Sequence, residues 1–142
     1  MTHSISTPAT IFLQTEQAIE QCIDSATIPV AIDRISYCLF QPQYDKQLLL
    51  IGRAQMKYEA GDMSFFEDYE LALAIPGVVP SLRLEIHLKL AHSYLENNDT
   101  NGSLRHLLSA RQIACCFNNN EFSNRIEIAE KQFDSVINEL LR

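Results

Sequence analysis

The chain has 142 residues, 46% of them apolar on a broad count and 20% charged, with only four Gly and five Pro. That balance excludes a disordered, collagen-like or low-complexity chain and fits one compact domain hiding about 68–70% of its unfolded surface. Eighteen acids against eleven bases give a formal charge of −7. This argues against a general nucleic-acid or anionic-membrane surface, because Lys and Arg carry the affinity for both.

The first helix is announced by Thr7-Pro8, an N-cap followed by proline in the first turn, and Ile11, Leu13, Ala18, Ile19, Cys22 and Ile23 extend it over about residues 9–25. Pro29 opens a second helix carrying Val30, Ile32, Ile35, Cys38 and Leu39, which Gln41-Pro42 ends. A third runs from about Tyr44 to Ala60 and stops at Gly61, the residue that most easily takes a left-handed helix terminus. Phe65, Phe66, Tyr69, Leu71, Ala72 and Ala74 fill a fourth, closed by the Pro76–Pro80 breaker, and three more follow over roughly 80–96, 102–117 and 121–141.

One segment resists this pattern. Leu82, Leu84, Ile86, Leu88 and Leu90 alternate with Arg83, Glu85, His87 and Lys89, the period of a half-buried strand. The helical reading is preferred because Leu84, Leu88, Ala91 and Leu95 form one stripe and Ile86, Leu90 and Tyr94 an adjacent one. No other segment offers a strand to pair with it, and a lone strand leaves its backbone groups unsatisfied.

Residues 50–74 and 87–111 share an order: an apolar helix with small residues, a Tyr, a tight polar turn ending in Asp, and a second apolar helix, repeating after 37 residues. Hairpins of this size cannot bury their apolar faces alone and stack into arrays. In the second copy Leu90, Ala91, Tyr94, Asn98, Asp99, Ser103, Leu107 and Ala110 fall at the intervals of the tetratricopeptide repeat, which this unit resembles. Ala54, Tyr58, Gly61, Asp62 and Phe66 follow the pattern more loosely in the first copy, where the downstream Ala is displaced by one.

The resemblance implies an all-α fold, an α-α superhelix of about three hairpins plus a cap. Residues 9–41 form a degenerate hairpin, 44–75 the first repeat, 80–117 the second and 121–141 a capping helix, all in a single domain 1–142. In the last helix Phe122, Ile126, Ala129, Phe133, Val136 and Leu140 form one apolar face. That face reads as a cap on the core; alternatively Phe122, Ile126, Phe133 and Leu140 are a second interface, a seam for a partner helix or a second copy in a homodimer.

The resemblance also implies that the first helix of each hairpin lines a groove for a peptide or helix of another protein. The matching positions are Gln55, Tyr58 and Glu59 in the first repeat and Glu85, Leu88, His92, Leu95 and Glu96 in the second. Their mixed acidic and apolar character predicts a ligand with basic residues beside aliphatic ones. Lys57 and Lys89 are the only nearby cations, too few for the carboxylate-clamp subtype. The charge pattern agrees: residues 1–71 hold ten acids and four bases, and Glu59, Asp62, Glu67, Asp68 and Glu70 run without a base, as a solvated helix face or a docking surface for a basic partner.

Catalytic chemistry finds no foothold in the sequence. None of His3, His87, His92 and His106 makes a helical zinc pair, and no phosphate loop or nucleophile elbow is present. Cys22, Cys38, Cys115 and Cys116 lack metal or disulfide spacing and read as buried free thiols. No metal or cofactor is expected, nor an enzyme. The N-terminal segment lacks a secretory pattern and no apolar run approaches a membrane span, so a cytoplasmic location with no membrane partner is expected. The leading expectation is a protein-interaction adaptor or scaffold; a secretion-type or assembly chaperone and a small-molecule or peptide sensor are the alternatives.

Overall fold

The computed structural model describes residues 7–76 and 79–141, and of Leu140 the backbone alone. Among these residues the protein is all-α, with seven helices and no strand: α1 (Pro8–Ile23), α2 (Ile28–Cys38), α3 (Lys46–Glu59), α4 (Phe65–Ala74), α5 (Pro80–Glu96), α6 (Thr100–Phe117) and α7 (Asn120–Leu140). The chain divides into two compact units, residues 1–76 and 77–142. The division falls in the breaker region between Pro76 and Pro80.

In the first unit the helix ends follow from capping chemistry. The Thr7 hydroxyl accepts from the Thr10 amide at 3.1 Å, and the Asp45 carboxylate accepts from the Leu48 amide at 2.9 Å, so α3 begins at Lys46 rather than Tyr44. Gly61, at φ 75°, closes α3 in the left-handed conformation. The apolar faces then meet: α3 packs on α1, α2 and α4, and Cys22, Ala31, Ile35, Cys38, Leu49 and Met56 form one buried cluster. Ile35 and Leu49 are wholly buried, each worth about 1.5–3 kcal/mol of apolar burial.

Three buried polar side chains tie the same helices together. Thr15 donates its hydroxyl hydrogen to the Ile11 carbonyl at 2.7 Å and accepts the Asp45 amide at 2.8 Å, linking α1 to the start of α3. Gln47 in α3 donates to the Ala72 carbonyl at the end of α4. Asp68 of α4 accepts from Arg53 at 2.7 and 2.9 Å and pairs with Lys57 at 3.1 Å, both on α3.

In the second unit α5 touches both α6 and α7, which explains the alternation in its sequence. Leu82, Leu84, Ile86, His87, Leu90, Ala91, Ser93 and Leu95 are buried, and at about 100° per residue they sweep roughly 220° of the helix surface. A helix covered over so wide an arc loses the narrow apolar stripe and mimics period two. Leu84 joins Ala110 and Ala114 of α6 and Phe122 and Ile126 of α7 in one buried cluster. Asp99 caps α6 by accepting from the Gly102 amide at 2.8 Å, so α6 begins at Thr100, two residues before Gly102.

Asn118 ends α6 in the left-handed conformation at φ 44°, and Asn119 caps α7, accepting from the Glu121 and Phe122 amides. The expectation of four buried thiols is corrected. Cys115 and Cys116 are exposed, whereas Cys22 and Cys38 are buried. The core-facing positions of late α6 are Ala110 and Ala114, and the two cysteines that follow them lie outside that buried cluster.

Two helical glycines separate close approach from ordinary packing. A Cβ on Gly102 would lie 2.9 Å from Tyr94 Cγ and 3.0 Å from an Asp99 carboxylate oxygen, whereas one on Gly52 would meet Ile19 at 3.4 Å. We predict that Gly102→Ala costs about 1–3 kcal/mol through overpacking. Gly52→Ala is expected to be neutral or stabilising by up to ~1 kcal/mol through helix propensity. Urea unfolding of both variants checks this; shifts of the same sign and size would refute the assignment.

Candidate functional site

In the first unit Gln55, Tyr58 and Glu59 lie at i, i+3 and i+4 near the end of α3, while Ala54 and Met56 point inward. Tyr58 is 43% exposed, yet its ring is fixed. The buried Phe65 meets it edge-on at 5.2 Å, and Phe65 in turn stacks on Phe66 at 4.2 Å and stands edge-on to Tyr69. A phenol held this way presents contact area at small conformational cost.

The charge around this aromatic cluster is set by where the bases go. Residues 1–76 contain four, and each is engaged on an internal acceptor. Arg34 donates to the Cys22 carbonyl and Lys46 to the Leu39 and Gln41 carbonyls. Arg53 and Lys57 hold Asp68. Eight acids of the unit are exposed, Glu59, Asp62, Glu67 and Glu70 among them. The Asp62 carboxyl is held below the usual carboxylate range by hydrogen bonds from Ser64. Asp68 is the member of the acidic run that sequence reasoning misplaced: it is 1% exposed and part of the interior.

In the second unit Glu85, Leu88, His92 and Glu96 occupy the strip of α5 left over by its wide buried arc. Glu85 and Leu88 are half-buried, and His92 and Glu96 are exposed and pair at 3.1 Å. An exposed i, i+4 pair contributes only about 0.3–0.5 kcal/mol. Leu95 is buried and faces the interior of the unit, off this strip. Phe122 and Ile126 are likewise buried against α5 and α6. Phe133 is half-buried and lines a small cleft of about 130 Å³ with Leu104, Leu108 and the Arg111–Glu130 ion pair; the Leu140 side chain lies outside the described residues.

The chain matches no protein-family model, no curated protein and no solved structure. Among the described residues no three His, Cys, Asp or Glu side chains converge on a point that could hold a metal ion, and no helix is long and apolar enough to cross a membrane.

One buried cluster escaped the sequence entirely. His87 of α5 and His106 of α6 approach with their Nδ1 atoms 3.0 Å apart, and the His106 ring stacks on Tyr94 at 5.5 Å. His87 also lines a cleft of about 370 Å³ with Arg83, Ser109, Gln112 and Cys116. Burial, then the facing His106 and Arg83, push the His87 imidazole down to about 4. The two residues lie at roughly equal distances from the Asn97–Asn98 turn, so they meet across the hairpin and not at the i, i+4 spacing of a single helix.

The His87 imidazole binds its proton near pH 6.5 in the unfolded chain but near pH 4 in the folded one. Between these values the unfolded state holds more protons, so stability is complete above pH 6.5 and falls as pH drops, by up to about 3 kcal/mol at pH 4. Urea unfolding of the wild type and of His87→Gln, at neutral pH and in mild acid, isolates this contribution from carboxylate titration. The variant is expected to lose less stability on acidification; parallel pH profiles would exclude the pair as the cause.

Proposed function

We propose that the protein is a non-catalytic interaction module that binds a basic segment of a partner protein. The observation that carries this reading is the engagement of all four bases of the first unit on internal acceptors while eight acids lie exposed. A basic ligand meets few competing cations there, and long-range attraction raises its encounter rate. Tyr58, fixed by Phe65, supplies an amphipathic anchor beside Gln55 and Glu59.

The tetratricopeptide-like reading of the repeats gives this surface a mode of use. On that reading α3–α4 and α5–α6 are successive hairpins, α1–α2 is a degenerate one and α7 is the cap. On the same reading the first helix of each hairpin carries ligand-facing residues: Gln55, Tyr58 and Glu59 on α3 in the first unit, and Glu85, Leu88, His92 and Glu96 on α5 in the second. Apolar burial at Tyr58 and Leu88 supplies affinity, and the acids select the partner.

A second reading, an assembly or secretion-type chaperone, draws on Tyr37 and Phe40 near the end of α2, which are 68% and 88% exposed. Large aromatics held in water mark a surface that another chain covers. Co-purification with a partner that aggregates when expressed alone would favour the chaperone.

Affinity capture from the native host, with the wild type and with Glu59→Lys and Glu85→Lys, tests the leading reading. Each reversal is expected to weaken binding of the captured partner by about tenfold or more, about 1.4 kcal/mol, and binding should fall with added salt. Binding that survives both reversals unchanged would move the site off α3 and α5.

A further inference from the structure

The first unit holds a chemical pair that the proposed interaction function does not use. Cys22 of α1 and Cys38 of α2 are free thiols, 7% and 9% exposed, with their sulfurs 3.9 Å apart. They lie 16 residues apart on two helices that pack directly against each other. Both border a cleft of about 510 Å³ whose other walls include Asp33, Arg34, Tyr37 and Tyr44. A small oxidant therefore has a route to sulfurs that are otherwise shielded. Cys115 and Cys116 differ in both respects: they are exposed and consecutive on one helix, without a facing thiol from a second element.

We propose that Cys22 and Cys38 are a dithiol modification site, oxidised by small-molecule disulfides to an intrachain disulfide that locks α1 to α2. The Cys38 sulfur, as thiolate, attacks one sulfur of the oxidant and expels the first small thiolate. The Cys22 thiol then gives its proton to solvent and its sulfur attacks the Cys38 sulfur, breaking the mixed disulfide and expelling the second small thiolate. Two protein thiols lose two electrons, and the oxidant disulfide gains them as two thiols. The sulfurs already lie 3.9 Å apart, so bond formation brings them together by only about 2 Å.

The surroundings decide what kind of site this is. Burial, with the Cys38 sulfur beside it, pushes the Cys22 thiol up to about 11, and the Arg34 guanidinium nearby opposes this only in part. A thiol that ionises reluctantly reacts slowly. By the same token nothing around Cys22 stabilises its thiolate, which is the device that makes a dithiol couple strongly oxidising. The site is thus a slow lock on the first hairpin rather than a rapid sensor or a catalytic thiol.

The test is equilibration in oxidised and reduced glutathione at mildly alkaline pH, using the Cys115→Ser/Cys116→Ser variant, followed by mass spectrometry. The folded variant should become lighter by the two hydrogens lost, with its Cys22 and Cys38 peptides joined. It should need at least about tenfold less oxidised glutathione than the same chain unfolded in urea, since a disulfide that stabilises the fold is stabilised by it. The oxidised form should also melt at a higher temperature than the reduced one. Persistent free thiols, two separate glutathione adducts, or equal oxidation in the folded and unfolded chains would overturn the proposal. Peptide mapping of the oxidised wild type gives the same answer if the double variant folds poorly.

Discussion

The Asp68 carboxylate is removed from water and held between Arg53, which grips both of its oxygens, and Lys57. A charge in that position is tolerable only while its partners stay in place: breaking such a pair by removing one side typically costs about 3–5 kcal/mol. The arrangement fixes the angle at which α4 lies on α3, because both cations come from one face of α3, one helical turn apart. Arg53 also donates to the Ser36 hydroxyl of α2, so one guanidinium joins three helices. The aromatic cluster of Tyr58, Phe65, Phe66 and Tyr69 sits on the same two helices, and its geometry depends on the same seating. The network also commits two of the four bases of the unit to a buried carboxylate.

How far the fold was legible depended on how each helix is covered. Helices with one buried face announced themselves by period and punctuation, as Thr7-Pro8 and Gly61 show. The course of α5 was harder to read because two neighbours bury it over a wide arc, and a broad arc weakens the helical period. Boundaries shifted by one or two residues wherever an unnoticed side chain took the capping role, as Asp45, Asp99 and Asn119 do. Those caps are local hydrogen bonds, and neighbouring Asn and Asp residues compete for them almost equally in sequence.

The site was less legible than the fold, for a physical reason. Composition places a residue on a helix but does not say which neighbour will cover it. Leu95, Phe122 and Ile126 share the apolar character of true surface anchors and turn out to be interior. Asp68 sits in a run of acids and differs from them only through Arg53 and Lys57, which approach from another helix. The His87–His106 and Cys22–Cys38 pairs arise where two helices of a hairpin run side by side, so their partners lie 19 and 16 residues apart, beyond any motif of fixed local spacing. Reflecting positions across a recognised turn is the reading that recovers such pairs.

The Thr15 hydroxyl, donating within α1 and accepting from the Asp45 amide 30 residues away, also bears on the order of assembly. Closing a flexible loop of that length costs about 3 kcal/mol of chain entropy, more than one hydrogen bond returns. The link therefore becomes favourable only after α2 has already folded back and shortened the loop. With the α1–α2 hairpin in place, the Thr15 bond sets the start of α3 against α1. The first unit is in this sense a nested object, in which a long-range polar link depends on a helical hairpin that is local in sequence.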